Sequence, residues 1–206
     1  MLKYKLTNQD NTTYNNTKWG QGITHETSGE GELCSSGWLH YYHSPELAVL
    51  LNPIHANILN PKLWEVEAEG MHKDDKGLKG GCTKMTTIKE IPLPEFSLEQ
   101  KVKFGILCAL QVYKEENFVN WANNWLNGTD RSSASANVAA ANINAYAANA
   151  AANAAAAAHA AVNAVNAAVN AANGDNAAYA AANAAANADD EFDLQSICKK
   201  AMSESC

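Results

Sequence analysis

"IPLPEFSLEQ", residues Ile91 to Gln100, divides this chain into two parts of different character. Pro92 and Pro94 fix φ and remove two backbone donors, so neither a helix nor a central strand runs through them. Just beyond, Ser97 and Gln100 form the S-x-x-Q spacing of a capping box, which opens a helix. Working outward, the residues before the prolines mix Gly, Pro, Trp and Tyr in short segments, and those after them carry helical signs. The expected class is α+β: a small mixed domain over residues 1–95, then a helical domain over 97–206.

Three segments of the first part read as strands. "LKYKLT" (2–7) alternates apolar and polar residues. "KLWEVEAEG" (62–70) does the same, with Leu63, Trp64, Val66 and Ala68 apolar and Gly70 as its expected end. "CTKMTTIKEI" (82–91) is rich in β-branched residues. Between the first two, Ser44 suits a helix cap, Pro45 the first helical position, and Glu46 the positive end of the dipole. Leu47, Val49, Leu50 and Leu51 make that helix apolar. The glycine-rich "KGLKGG" (76–81) has neither phosphate-binding fingerprint.

The second part opens with Leu98, Val102, Ile106, Leu107, Leu110 and Tyr113 at helical spacing. Glu115 and Glu116 start a second helix, on which Phe118, Trp121, Ala122, Trp125 and Leu126 repeat the pattern. Asn127-Gly128 stops it, and a helical hairpin is expected. From Ser132 to Ala188 the only formal charge is Asp175. Alanine has the highest helix propensity, and the asparagines fall mostly three or four apart, drawing one polar stripe on a helix. Methyl-coated helices gain by close approach, so residues 132–188 are expected to pack tightly, with a break near Gly174. Leu194, Ile197, Cys198 and Ala201 give a last short apolar stripe.

A net charge of −7 argues against a nucleic-acid partner. No apolar run approaches the roughly 20 residues that span a bilayer, and "MLKYKLTNQDNTTY" lacks the apolar core of a signal peptide. The expectation is a cytoplasmic protein with no membrane contact. Five scattered cysteines without a C-x-x-C pair fit reduced thiols.

Trp38, His40, Tyr41, Tyr42 and His43 are close enough in sequence to line a pocket that stacks on a base or ribose, with Ser44 beside them. The alternative is a strand end with one buried and one exposed face. Cys34, His40 and His43 have no standard zinc spacing, so neither a metal nor a cofactor is expected. Trp121 and Trp125 read as core anchors. Asn163, Asn166 and Asn170 form a ligand-facing wall, an interhelical amide ladder or a solvated stripe.

Two resemblances follow. With "ILCAL" (106–110), "NWLNG" (124–128) and "AAHAA" (157–161) in an alanine-rich array, residues 97 to about 188 resemble an immunity-protein family of bacteria and phages. That family carries arginines where this chain has asparagines. "GWLHYYHSPELAVLL" (37–51) and "LWEVEAEG" (63–70) are similar to the core of ADP-ribosyltransferases, whose Ser-Thr-Ser stretch maps on "LHYYHS". Lys84 and Thr86 stand where the catalytic glutamate of that family would fall, and Glu90 comes too late. The resemblance therefore implies a ligand-binding version. The expected function is a non-enzymatic binding or inhibitor protein, phage-encoded and acting in the host cytoplasm. It would sequester a nucleotide-like signal or block a host protein, and form homo-oligomers through its alanine-rich helices. An ADP-ribosyltransferase-like enzyme and a structural assembly protein are the alternatives.

Overall fold

The structure, a computed structural model, describes residues 1–52, 55–132, 134–139 and 193–203. The chain splits into two compact units, Met1–Glu95 and Phe96–Cys206. Its class is α+β, an antiparallel sheet in the first unit with helices later. The expectations for the asparagine stripe, including Asn163, Asn166 and Asn170, and for the break at Gly174 lie outside the described residues.

The first unit contains β1 (Leu2–Thr7), β2 (Thr24–Glu26), β3 (Leu39–Tyr41), α1 (Pro45–Leu51), β4 (Lys62–Asp74) and β5 (Gly80–Ile91). The order in the sheet is β1-β4-β5-β2, with β3 also paired to β5. Beyond β3, Tyr42 and Tyr4 exchange two backbone hydrogen bonds of 2.7 and 3.1 Å. The hydrogen-bonded path β1–β4–β5–β3 thus returns to β1, and the sheet curls on itself.

Two glycines permit the curl. β4 does not stop at Gly70 as its sequence suggested. It continues to Asp74 through a register shift between Glu69 and His72. Gly70 takes φ +81° there, and a Cβ on it would come within 2.2 Å of the Thr83 hydroxyl. Gly80 lies under the Tyr41 ring, where a Cβ would stand 2.3 Å from a ring carbon. The "KGLKGG" segment is therefore a hairpin turn and the start of β5, whose Gly80 lets β3 approach closely.

One face of the sheet carries the core of Trp19, Leu39, Tyr41, Trp64, Val66, Ala68, Cys82 and Met85. By strand alternation Leu6 and Leu63, opposite each other in the β1–β4 register, turn to the other face. Both are buried, and α1 packs on β1. Ser44 caps α1 by accepting from the Leu47 N–H at 3.2 Å. Leu47 and Leu51 are fully buried; each such burial contributes about 1.5–3 kcal/mol. Ala48 is buried on that helix, whereas Val49 is only half-buried.

The second unit contains α2 (Leu98–Val112), α3 (Glu116–Leu126), helical residues 134–139 and α4 (Leu194–Met202). The capping box forms with both bonds, Gln100 N–H to the Ser97 hydroxyl and Ser97 N–H to the Gln100 carbonyl oxygen. Glu115 and Asp193 cap α3 and α4 through their carboxylates. Gly128, at φ +77°, follows the end of α3. α2 is buried on more than the single face expected. Phe104, Cys108 and Ala109 are inside along with Val102, Ile106 and Leu107, while Leu98 is exposed. Among the described helices its larger partner is α4, so the α2–α3 hairpin is the lesser contact. Trp121 and Trp125 are buried anchors. Arg131 secures Trp125, donating to its carbonyl at 2.9 Å, lying 4.7 Å over its ring, and pairing with Glu99 at 2.8 Å.

Candidate functional site

Strand alternation separates the residues that the sequence placed together. Trp38 is buried, donates from Nε1 to the Gly31 carbonyl at 3.1 Å, and has Lys73 Nζ 5.1 Å over its ring. His40 bonds through Nε2 to the Leu33 carbonyl. Burial lowers the His40 pKa, opposed by that bond and helped by the charges of Lys5 and Lys79. Tyr42 is buried and stacks on His55 at 5.9 Å, and burial pushes its phenol pKa up. Ser44 is occupied as the α1 cap. Cys34 accepts from Lys79 Nζ at 3.0 Å. Among the described residues no three His, Cys, Asp or Glu side chains are grouped to hold a metal ion.

Of that set, His43 enters a cluster, and its neighbours come from other strands. Lys3 Nζ lies 2.9 Å from His43 Nδ1, and His43 Nε2 lies 2.5 Å from Asp74 Oδ2. With Lys3 as an ammonium, Nδ1 accepts; the imidazole proton then sits on Nε2 and is donated to Asp74. The other Asp74 oxygen accepts the Gly77 N–H at 2.7 Å, so the β4–β5 turn fixes the carboxylate. Tyr41 stands edge-on to His43 at 5.5 Å, carries Lys3 Nζ 5.4 Å over its ring, and bonds through its hydroxyl to His72 Nδ1 at 3.3 Å. Lys3, Tyr41 and the pair His72 and Asp74 come from β1, β3 and β4, and His43 from the loop after β3.

The electrostatics follow from burial and neighbours. Burial lowers the Lys3 pKa, partly opposed by Asp74. Burial, then the charges of Asp74 and Cys82, pushes the Tyr41 phenol up to about 12. At Asp74 burial would raise the pKa. The His43 hydrogen bond, the Gly77 N–H and the charges of His43 and Lys3 outweigh it, so the carboxyl is held below its usual range. Asp74 is 46 % exposed and the His43 side chain 12 %, so the carboxylate faces solvent while the imidazole is held inside. The cluster therefore presents an amine hydrogen-bonded to an imidazole, beside a carboxylate open to further hydrogen bonds at Asp74.

Lys3, His72 and Asp74 were not singled out from the sequence. The signal that existed was parity: Lys3 and Lys5 share a face of "LKYKLT", and Asp74 stands three residues before Gly77 in a turn. The pairing that brings β1 beside β3 had no local mark.

Lys5, two residues along β1, points into the core. Its Nζ donates to the His40 carbonyl at 3.1 Å and lies 4.3 Å over the Trp19 ring. Burial lowers its pKa to about 8, slightly opposed by Cys82. In the second unit, Lys103, Leu107, Asn123, Leu126, Asn127 and Lys200 line an open groove of about 440 Å³. Lys103 is held there by the Ser203 carbonyl at 3.0 Å.

Among the described residues no helix is long and apolar enough to cross a membrane. No curated protein and no solved structure matches the chain. Residues 1–99, which span the whole sheet unit with its Lys3–His43–Asp74 cluster, match the model of a family described as Domain of unknown function (DUF7666).

Proposed function

We propose that this chain is a non-enzymatic binding protein whose sheet unit takes a nucleotide-like small molecule where Lys3, Tyr41, His43, His72 and Asp74 meet. One observation carries the reading. Three strands and a loop bring a cation, an exposed imidazole and a solvent-facing carboxylate to one end of the curled sheet. A nucleotide offers the complementary groups. Ribose hydroxyls donate to Asp74, as to acidic residues in dinucleotide sites. The base stacks on His72, and a phosphate meets the Lys3 ammonium. The resemblance of residues 97–188 to the immunity-protein family supports placing this binding in phage counter-defence. On the same reading a host protein is the other class of partner, and the Ala/Asn-rich residues 132–188 join copies of the chain.

Thermal unfolding of the full chain with a panel of nucleotides tests the proposal. A ligand at 100 times its Kd stabilises by about 2.7 kcal/mol, a shift of several degrees. The His72→Ala and Lys3→Met variants should lose that shift. No shift with any nucleotide class, or shifts unchanged in both variants, rules the reading out.

A further inference from the structure

The order Asp74–His43–Lys3 is that of an orienting acid, a base and a nucleophile in series. Asp74 holds the proton of His43 on Nε2. Nδ1 is thereby left as a free base, and it points at Lys3 Nζ rather than at solvent. Lys62, Lys84 and Lys89 on this sheet are arranged differently, each meeting a carboxylate directly at 3.5, 3.5 and 3.4 Å. At Lys3 an imidazole stands between the amine and the carboxylate. The ammonium has a proton acceptor in line, and the carboxylate stabilises the imidazolium that results. The Lys3 amine itself lies 5.4 Å over the Tyr41 ring, so that ring borders the place where a bond would form.

The geometry points to Lys3 as an activated amine that captures a small hydroxy-aldehyde, the open-chain form of a reducing sugar, as a Schiff base at this rim. The inference rests on the rim being a ligand site and adds the bond that would form there. Lys3 gives one proton to His43 Nδ1, and the freed nitrogen lone pair forms a bond to the carbonyl carbon. The carbonyl oxygen becomes the hydroxyl of a carbinolamine. Loss of water, which carries away the two remaining amine hydrogens with that oxygen, leaves the imine; nothing is oxidised or reduced. Hydroxyls next to the carbonyl fit Asp74, an exposed acceptor, and His72, an exposed imidazole on the same rim. The buried Lys5 lies on the same strand, but Trp19 covers its amine.

The test treats the full chain with glycolaldehyde and cyanoborohydride, which reduces the imine to a stable secondary amine. The rate at each lysine is then read by peptide mass mapping. Lys3 is expected to react about a hundredfold faster than Lys84 and Lys89, the lower end of what a positioned base contributes. His43→Gln and Asp74→Asn should bring Lys3 down to the rate of those lysines. In Asp74→Asn the pH at which labelling of Lys3 levels off should move down, because the carboxylate that favours its ammonium is gone, and a packing change alone would not produce that shift. Amide exchange across β1 shows whether each variant keeps its fold. A wild-type Lys3 no faster than Lys84 overturns the inference without any variant. Undiminished selectivity in a folded His43→Gln or Asp74→Asn chain overturns the relay. The readout needs no nucleotide, so it can succeed where nucleotide binding fails, and the reverse.

Discussion

Replacing Lys5 with methionine keeps a similar side-chain length and removes a charge from the core of the sheet unit. In the folded chain Lys5 is 7 % exposed, and its amine has one carbonyl and one ring face as partners. Its pKa falls from 10.5 to about 8. Below pH 8 both the folded and unfolded chains hold the proton, and the desolvation cost weighs on the fold in full. Between pH 8 and 10.5 the unfolded chain holds more protons, so stability rises with pH. At about 1.36 kcal/mol per unit the whole rise is about 3 kcal/mol, of which about 1 kcal/mol appears between pH 7 and 9. Burial raises the Cys82 thiol and the Tyr41 phenol above their usual 9.0 and 10.0, so both act against stability at higher pH. Stopping at pH 9 and comparing with Lys5→Met isolates the lysine. The assay is urea unfolding of the full chain at each pH, with β1 and β4 read by pulsed hydrogen exchange at one fixed pulse pH. Wild type should gain about 1 kcal/mol over Lys5→Met from pH 7 to 9. A difference that stays flat would refute the argument that Lys5 folds as a desolvated cation.

Further outcomes follow from other contacts. Gly80→Ala places a methyl 2.3 Å from the Tyr41 ring, so it should destabilise the sheet unit by about 1–3 kcal/mol and weaken the Tyr41–His72 contact, seen as a lower urea midpoint and a changed His72 ring environment in NMR spectra. Burial, then the charges of Lys79 and His40, lowers the His55 pKa from 6.5 to about 4, so the unfolded chain takes up a proton first as pH falls. Stability should drop between pH 6.5 and 4, and His55→Phe, which keeps a ring beside Tyr42, should flatten that slope in acid unfolding curves. Ser97→Ala removes the acceptor of the α2 capping box and should cost the helical unit about 1 kcal/mol, read by exchange of the first α2 amides.

The sequence by itself marked the longer elements and the places where several of them start, but not the three-residue β2 and β3. Pro92 and Pro94 ended one regime and Ser97 began another, because each acts on its own backbone and nearest neighbours. Ser44, Pro45 and Asn127-Gly128 were legible for the same reason. Gly70 misled because a glycine permits either a strand end or a bulge, and only the partner strand, with Thr83 pressed against it, selects the bulge. Burial on more than one side of α2 was equally illegible, since α4 arrives from about a hundred residues away. The candidate site belongs to the tertiary structure. His43 was picked from a run of aromatic and imidazole residues, but parity sent Trp38, His40 and Tyr42 elsewhere. Lys3 reached it because Tyr4 pairs with Tyr42, and His72 and Asp74 because β5, with the bare Gly80 opposite both Tyr41 and Asp74, joins β3 to β4. Hydrogen bonds between strands tens of residues apart depend on which edges meet, and local propensity carries no term for that.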